Sequence, residues 1–308
     1  MTLLSVNRLA IDLTREGRRH RLVHDARLEV SPGQTVAVVG ESGSGKSLTA
    51  LAVMGLLPDE LSVTAGHVVY DGREITGLGF DAMRRLRGPE IAMIFQEPMT
   101  ALNPVRNIGS QLTEGMRLHL GLTRRAARRR AVALLEEVGV ADAEGRLSQY
   151  PHQFSGGMRQ RVMIAIALSC EPRLILADEP TTALDVTIQA QILALTAALC
   201  RDHGVGLVLI THNLGIVARH ADRVNVMYGG RVVEQAAARE LFAAPAHPYT
   251  QGLLASVPRL DLPRDRPLQP IAGAPPDPMA DVPGCRFHPR CPAASARCAR
   301  DLPPLERQ

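Results

Sequence analysis

Eight consecutive residues, Gly40-Glu41-Ser42-Gly43-Ser44-Gly45-Lys46-Ser47, constrain this chain more than any other stretch. They follow the β-branched run Thr35–Val39 (TVAVV) and open an apolar, helix-forming segment that Pro58 terminates. Glycines at 40, 43 and 45 allow successive backbone N–H groups to turn inward, and the helix that follows adds the positive end of its dipole. The G-x-x-x-x-G-K-[ST] spacing between a strand and a helix is that of an anion-binding loop, in which the lysine reaches the β- and γ-phosphates of a nucleotide. Ser47 Oγ is the expected Mg²⁺ ligand. The candidate nucleotide-binding set is Gly40, Glu41, Ser42, Gly43, Ser44, Gly45, Lys46, Ser47 and Leu48, joined by Asp178 further along.

Such a loop needs a parallel sheet behind it, and the sequence supplies one. Thr35–Val39, Ile91–Phe95, Leu174–Ala177 and Leu207–Ile210 are near-continuous apolar runs separated by helical patterns, which predicts strands buried on both faces. Arg223–Tyr228 and Arg231–Glu234 flank Gly229-Gly230 and predict a hairpin with a primed turn. About 75 mainly helical residues separate the second and third runs, too many for a structureless loop. Within them, Arg124, Arg125, Arg128, Arg129 and Arg130 precede Leu134, Leu135 and Val138, as on a helix with a solvated basic face. The third run ends in Asp178-Glu179. Carboxylates at the C-terminal end of a parallel strand sit where such sheets bind ligands. Asp178 is expected to hold Mg²⁺ through its water shell, and Glu179 to polarise an attacking water.

Composition excludes several classes. Of 308 residues, 45% are hydrophobic and 21% charged, which is neither disordered nor fibrous. The 35 Lys and Arg against 31 Asp and Glu leave a net charge of +4, too mild for a dedicated nucleic-acid binder. The longest apolar stretches, such as Leu48–Leu57 and Val162–Leu168, are too short to span a bilayer. The N-terminus lacks the layout of a secretory signal, so a cytoplasmic location is expected. Eight prolines fall in the first 244 residues and fourteen in the last 64, which predicts an extended, turn-rich tail from residue 245. Cys170 and Cys200 lie in apolar helical context and are expected to be packing residues.

Tyr150-Pro151-His152-Gln153-Phe154-Ser155-Gly156-Gly157-Met158-Arg159-Gln160-Arg161 resembles the signature loop of ATP-binding-cassette (ABC) ATPases. Gln96, at the end of a strand, resembles the Q-loop glutamine that senses Mg²⁺ and the γ-phosphate. Ala183-Leu184-Asp185 resembles the D-loop, and His212 the switch histidine that contacts the γ-phosphate. The resemblance implies a P-loop NTPase fold: a RecA-like α/β core with an antiparallel β subdomain (1–96 and 170–244), a helical subdomain carrying the signature (97–169), and a Pro/Cys-rich tail (245–308). It also implies two cassettes arranged head-to-tail, Ser155, Gly156, Gly157 and Asp185 serving the partner's nucleotide. Glu179, His212 and Gln96 are then the catalytic candidates, and Ser47, Gln96 and Asp178 the Mg²⁺ candidates. Cassettes usually stack an aromatic residue on adenine upstream of the phosphate loop. Here Gly17-Arg18-Arg19-His20 offers none, and the adenine partner stays unassigned.

Gln96-Glu97-Pro98-Met99-Thr100-Ala101-Leu102-Asn103-Pro104 resembles the Q-loop of oligopeptide and dipeptide importer ATPases. So do three tail segments: His247–Pro258, Gly273-Ala274-Pro275-Pro276, and Gly284-Cys285-Arg286-Phe287-His288-Pro289-Arg290-Cys291-Pro292. Within this peptide and nickel branch the chain is similar to the D-type ATPase subunit. That implies a heterodimer with a sister ATPase, two transmembrane permeases and an extracytoplasmic substrate-binding protein, with this chain peripheral on the cytoplasmic face of the inner membrane. The implied activity is ATP hydrolysis coupled to peptide import. Import of nickel or a metal chelate by the same machinery is the alternative, and a soluble, non-transport ABC ATPase a more distant one. Some relatives carry a [4Fe–4S] cluster on a tail of the Cys285-x₅-Cys291-x₆-Cys298 type, but no fourth cysteine follows Cys298. Three readings stand open: a cluster with an incomplete or non-cysteine ligand set, a Cys₃His zinc site using His288, or reduced thiols in a packed tail.

Overall fold

The structure, a computed structural model, describes residues 1–181, 185–257, 270–280 and 282–305. The chain divides into two compact units, the first formed by Met1–Leu3, Val30–Thr35 and Leu78–Ile210, the second by Leu4–Glu29, Val36–Gly77 and Thr211–Gln308.

In the first unit three strands run parallel. Ile91–Ile94 pairs with Leu174–Asp178, and Leu174–Asp178 pairs with Gly206–Ile210, from Leu174↔Gly206 to Asp178↔Ile210. Every residue of the latter two strands is buried, as their uninterrupted apolar character requires. Helices Ile108–His119, Arg124–Glu137, Gly156–Leu168 and Val186–Asp202 supply most of the rest. Each of the first three starts at a polar cap. Asn107 Oδ1 accepts from the N–H of Ser110 at 2.8 Å, Thr123 Oγ1 from Ala126 at 3.3 Å and Ser155 Oγ from Met158 at 3.4 Å. On the helix Arg124–Glu137, Ala127, Ala131, Leu134 and Leu135 recur at helical spacing and are buried. Arg124, Arg125, Arg128 and Arg129 are exposed on the opposite face, and Arg128 pairs with Glu144 at 2.6 Å. Cys170 and Cys200 are buried, and burial pushes the Cys200 thiol up to about 12, which leaves it an inert packing group.

The second unit is a mixed sheet. Arg73–Glu74, Leu61–Tyr70 and Leu4–Arg15 pair antiparallel, with an irregularity at Arg8, whose φ is +48°. Arg18–Val30, Arg231–Ala237, Arg223–Tyr228 and Thr35–Val39 follow, the last two parallel from Val36↔Arg223 to Val39↔Val226. The hairpin forms as its sequence predicts. Gly229 and Gly230 have φ of +53° and +79°, the left-handed pair that a primed turn demands. Among the described residues, no helix is long and apolar enough to cross a membrane.

The tail departs from the extended chain that its prolines predict. Pro248–Ala255 is a helix that starts with proline at its first position. Tyr249, Thr250 and Phe287 are buried, and the two rings join a core of Val39, Val224, Val226, Tyr228 and Leu241. Proline restrains φ but does not prevent burial, and a few aromatic side chains suffice to fold the segment onto the unit. Pro258, the last residue of the first tail segment, lies outside the described residues, as do Ala183 and Leu184 of the D-loop.

Candidate functional site

The fully buried strand Thr35–Val39 ends at Gly40, where the chain turns with φ of +152°. A Cβ at Gly40 would lie 2.1 Å from the Met227 carbonyl oxygen, so no other residue fits there. Gly45, at φ of +96°, is constrained less tightly: its Cβ would meet Val23 Cγ2 at 2.9 Å. The loop between them is held from behind by the hairpin turn, whose Gly230 N–H donates to the Ser44 carbonyl at 3.1 Å. The helix Lys46–Met54 starts at the end of the loop, with Gly45 at its N-cap position and no side-chain cap from that residue. Lys46 is only 5% exposed. Its ammonium donates to the carbonyls of Gly40 and Glu41 at 2.8 and 2.9 Å and to Ser44 Oγ at 3.3 Å. Ser47 and Leu48 are half-buried, and Ser42 and Gly43 are exposed. A glycine cradle, a lysine within it and a helix start form the donor set that a polyphosphate requires.

In the same unit, His212 is exposed, between the strand Gly206–Ile210 and the helix Leu214–His220, which Asn213 caps. Its neighbour Thr211 donates its N–H to the Val38 carbonyl at 3.3 Å.

The first unit gathers the other candidates. Asp178 is buried at the end of its strand, and Glu179 follows with φ of +41°, rare for a residue that carries a Cβ. Holding it there costs about 1–3 kcal/mol. Two bonds maintain that turn: the Glu179 N–H donates to Ile210 O at 3.0 Å, and Thr181 N–H donates to Glu179 O at 2.7 Å. The Glu179 carboxylate meets Gln96, whose Nε2 donates to Oε2 at 3.3 Å. Ser155 and Gly156 are exposed at the start of their helix, and Arg159 Nε braces that start on Pro151 O at 2.8 Å. Asp185 is exposed ahead of the helix Val186–Asp202.

The metal-ligand readings of the tail are not supported. Among the described residues no three His, Cys, Asp or Glu side chains converge to hold a metal, and Cys285, Cys291 and Cys298 are free thiols. Cys285 and Cys291 pack against the aromatic core, and burial pushes the Cys285 thiol up. Cys298 Sγ is engaged by Ser295 Oγ at 3.4 Å, and the His288 ring turns to the Cys285 carbonyl at 2.8 Å. Among the described residues the cluster and zinc readings therefore find no support.

Sequence reasoning missed two residues that bond to the loop and a third that braces one of them. Tyr249 Oη accepts the Glu41 N–H at 2.8 Å, Arg290 grips the Glu41 carboxylate at 2.7 and 3.0 Å, and Tyr228 Oη accepts from Arg290 at 3.2 Å. Tyr249 and Arg290 lie 208 and 249 residues from Glu41, and no local pattern in the sequence signals either contact.

Comparison with known proteins places this geometry. The family described as "ABC transporter" matches residues 23–182, just over half the chain, and the family described as "Oligopeptide/dipeptide transporter, C-terminal region" matches residues 233–298. The chain belongs to the ABC transporter family. Its relatives include the dipeptide transport ATP-binding protein DppD of Bacillus subtilis (strain 168), 49% identical over 301 residues, covering 97% of this chain and 90% of that one. The oligopeptide transport ATP-binding protein AppD of the same organism is 50% identical over 305 residues, covering 99% and 93%. Among solved structures, the ATP-binding cassette MJ0796, a dimer in a post-hydrolysis state bound to ADP and Pi, superposes with a TM-score of 0.68 at 25% identity. That match covers 77% of this ABC protein and 99% of MJ0796.

Proposed function

We propose that this chain is the ATP-binding and hydrolysing subunit that powers peptide import across a membrane. The observation that carries the reading is the union of a phosphate-loop cassette with a peptide-transporter tail in one chain, matched over nearly its full length by relatives named for dipeptide and oligopeptide transport. In this reading the loop amides from Gly40 to Leu48 cradle the phosphates, and Lys46 turns from the loop's own carbonyls to the β- and γ-phosphates. Ser47, Asp178 and Gln96 are the residues that would hold Mg²⁺, which when bound neutralises charge on the phosphate oxygens. Glu179 accepts hydrogen-bonding from the attacking water and orients it, and His212 contacts the γ-phosphate. Ser155, Gly156, Gly157 and Asp185 face the nucleotide of a second cassette, in keeping with the dimer of MJ0796.

The partners follow from the same reading: a sister ATPase subunit, two transmembrane permeases and an extracytoplasmic peptide-binding protein, with this chain peripheral on the cytoplasmic side. A groove of about 640 Å³ in the helical segment, lined by Arg106, Arg117, Arg124, Arg128 and Glu114, supports docking of a cytoplasmic permease segment there. Uptake of a labelled dipeptide by cells deleted for the chain tests the function. Complementation with the wild-type chain is expected to restore uptake and complementation with Glu179→Gln to leave it absent. Full uptake without the chain would contradict the reading.

A further inference from the structure

We propose that the C-terminal tail is a positioning element of the phosphate loop, acting through Glu41. This rests on the nucleotide-binding reading and adds a partner to the loop from within the same chain.

All the polar groups of Glu41 are committed. Its carbonyl accepts from Lys46 Nζ at 2.9 Å, its N–H donates to Tyr249 Oη at 2.8 Å, and its carboxylate takes both arms of the Arg290 guanidinium at 2.7 and 3.0 Å. The last two partners come from the tail, 208 and 249 residues away. The Arg290 side chain is 5% exposed and that of Glu41 26%, so the pair is shielded from water and its fork geometry is enforced.

Arg290 is itself held at its other edge. Nε donates to Ala272 O at 2.9 Å and Nη2 to Ile271 O at 3.3 Å, while Nη1 also reaches Tyr228 Oη at 3.2 Å. Beneath it, Tyr228, Tyr249 and Phe287 form a closed trio with ring centroids 4.5, 5.1 and 5.4 Å apart. The Glu41 carboxylate and its Tyr228 contact hold the Arg290 guanidinium protonated, raising it above its usual value. A further tail segment closes the flank. Pro275, Pro276 and Pro278 line one recess together with Glu41, Ser42, Gly43 and Ser44.

The consequence is mechanical. The Glu41 carbonyl is one of the anchors of Lys46, and a displacement of about 1 Å at a phosphate-binding group is costly to binding and catalysis. The tail therefore presets the loop rather than merely decorating it, and a change in how the tail packs is transmitted to the nucleotide through two hydrogen-bonded residues.

The test is equilibrium titration of the full-length chain with a fluorescent ATP analogue, alongside steady-state hydrolysis. Arg290→Met is expected to weaken binding roughly tenfold and to raise the KM for ATP with kcat within about twofold, since the groups that act on water are untouched. Arg290→Lys, which keeps the charge and loses the fork, is expected to fall between Arg290→Met and wild type. Glu41→Gln combined with Arg290→Met is expected to be no worse than the more damaging single change, because both remove one interaction. Tyr249→Phe, which deletes only the hydroxyl, is expected to weaken binding by roughly threefold and carries the test alone if Arg290→Met does not fold. Wild-type affinity in both Arg290→Lys and Tyr249→Phe, or additive effects in the double variant, would overturn the proposal while leaving the cassette reading intact. A wild-type chain that binds no nucleotide would overturn both.

Discussion

Gln96 Nε2 lies 3.3 Å from Glu179 Oε2, joining the ends of two parallel strands through a glutamate held at φ of +41°. The amide donates to the carboxylate proposed to activate water. Replacing Glu179 with Gln keeps the size and removes the charge. Nucleotide affinity is expected to stay within about threefold of wild type while turnover falls by roughly 10²-fold or more, a typical range for loss of a general base. Single-turnover hydrolysis beside an equilibrium titration separates the two effects. Turnover near wild type would show that Glu179 does not activate water.

Gly40→Ala should damage the fold before it affects chemistry. A methyl group 2.1 Å from the Met227 oxygen, at a φ that side chains avoid, forces the loop off the hairpin strand. The expected loss is more than about 2 kcal/mol, read as a lower urea midpoint with an unchanged slope. Gly77→Ala, where no atom lies within 4 Å, is the control for backbone conformation alone, its φ being +67°.

A pH dependence follows from His247. Its Nδ1 accepts the Tyr249 N–H at 3.0 Å, capping the tail helix, and burial pushes its pKa below the usual 6.5, against the opposing pull of Glu234. Native His247 therefore binds fewer protons than the unfolded chain, so stability rises with pH through this window. The contribution is fully present above about pH 6.5 and is lost as pH falls through the depressed native value. Thermal unfolding between pH 5 and 8 is expected to show this slope in the wild type. In His247→Asn, which caps without titrating, the slope should flatten.

Much of this was legible because the relevant strands are buried on both faces. Leu174–Asp178 and Gly206–Ile210 contain no polar alternation to confuse, and Gly229-Gly230 admits few other conformations. The pairing of Leu4–Arg15 with Leu61–Tyr70 was not readable from periodicity, since half of Leu61–Tyr70 is exposed and the register shifts beside Arg8. The tail misled for a different reason: proline density reports backbone restraint, whereas Tyr249 and Phe287 decide its burial. The Glu41–Arg290 pair spans 249 residues, a separation at which local pattern carries no information.

The central claim is that Gly40–Ser47 wraps a nucleotide's phosphates around Lys46, and titration of the purified chain with Mg-ATP tests it most directly. Saturable binding is expected in the wild type, weakened by at least tenfold in Lys46→Ala. Equal affinity in the two proteins, or no binding in either, would contradict it.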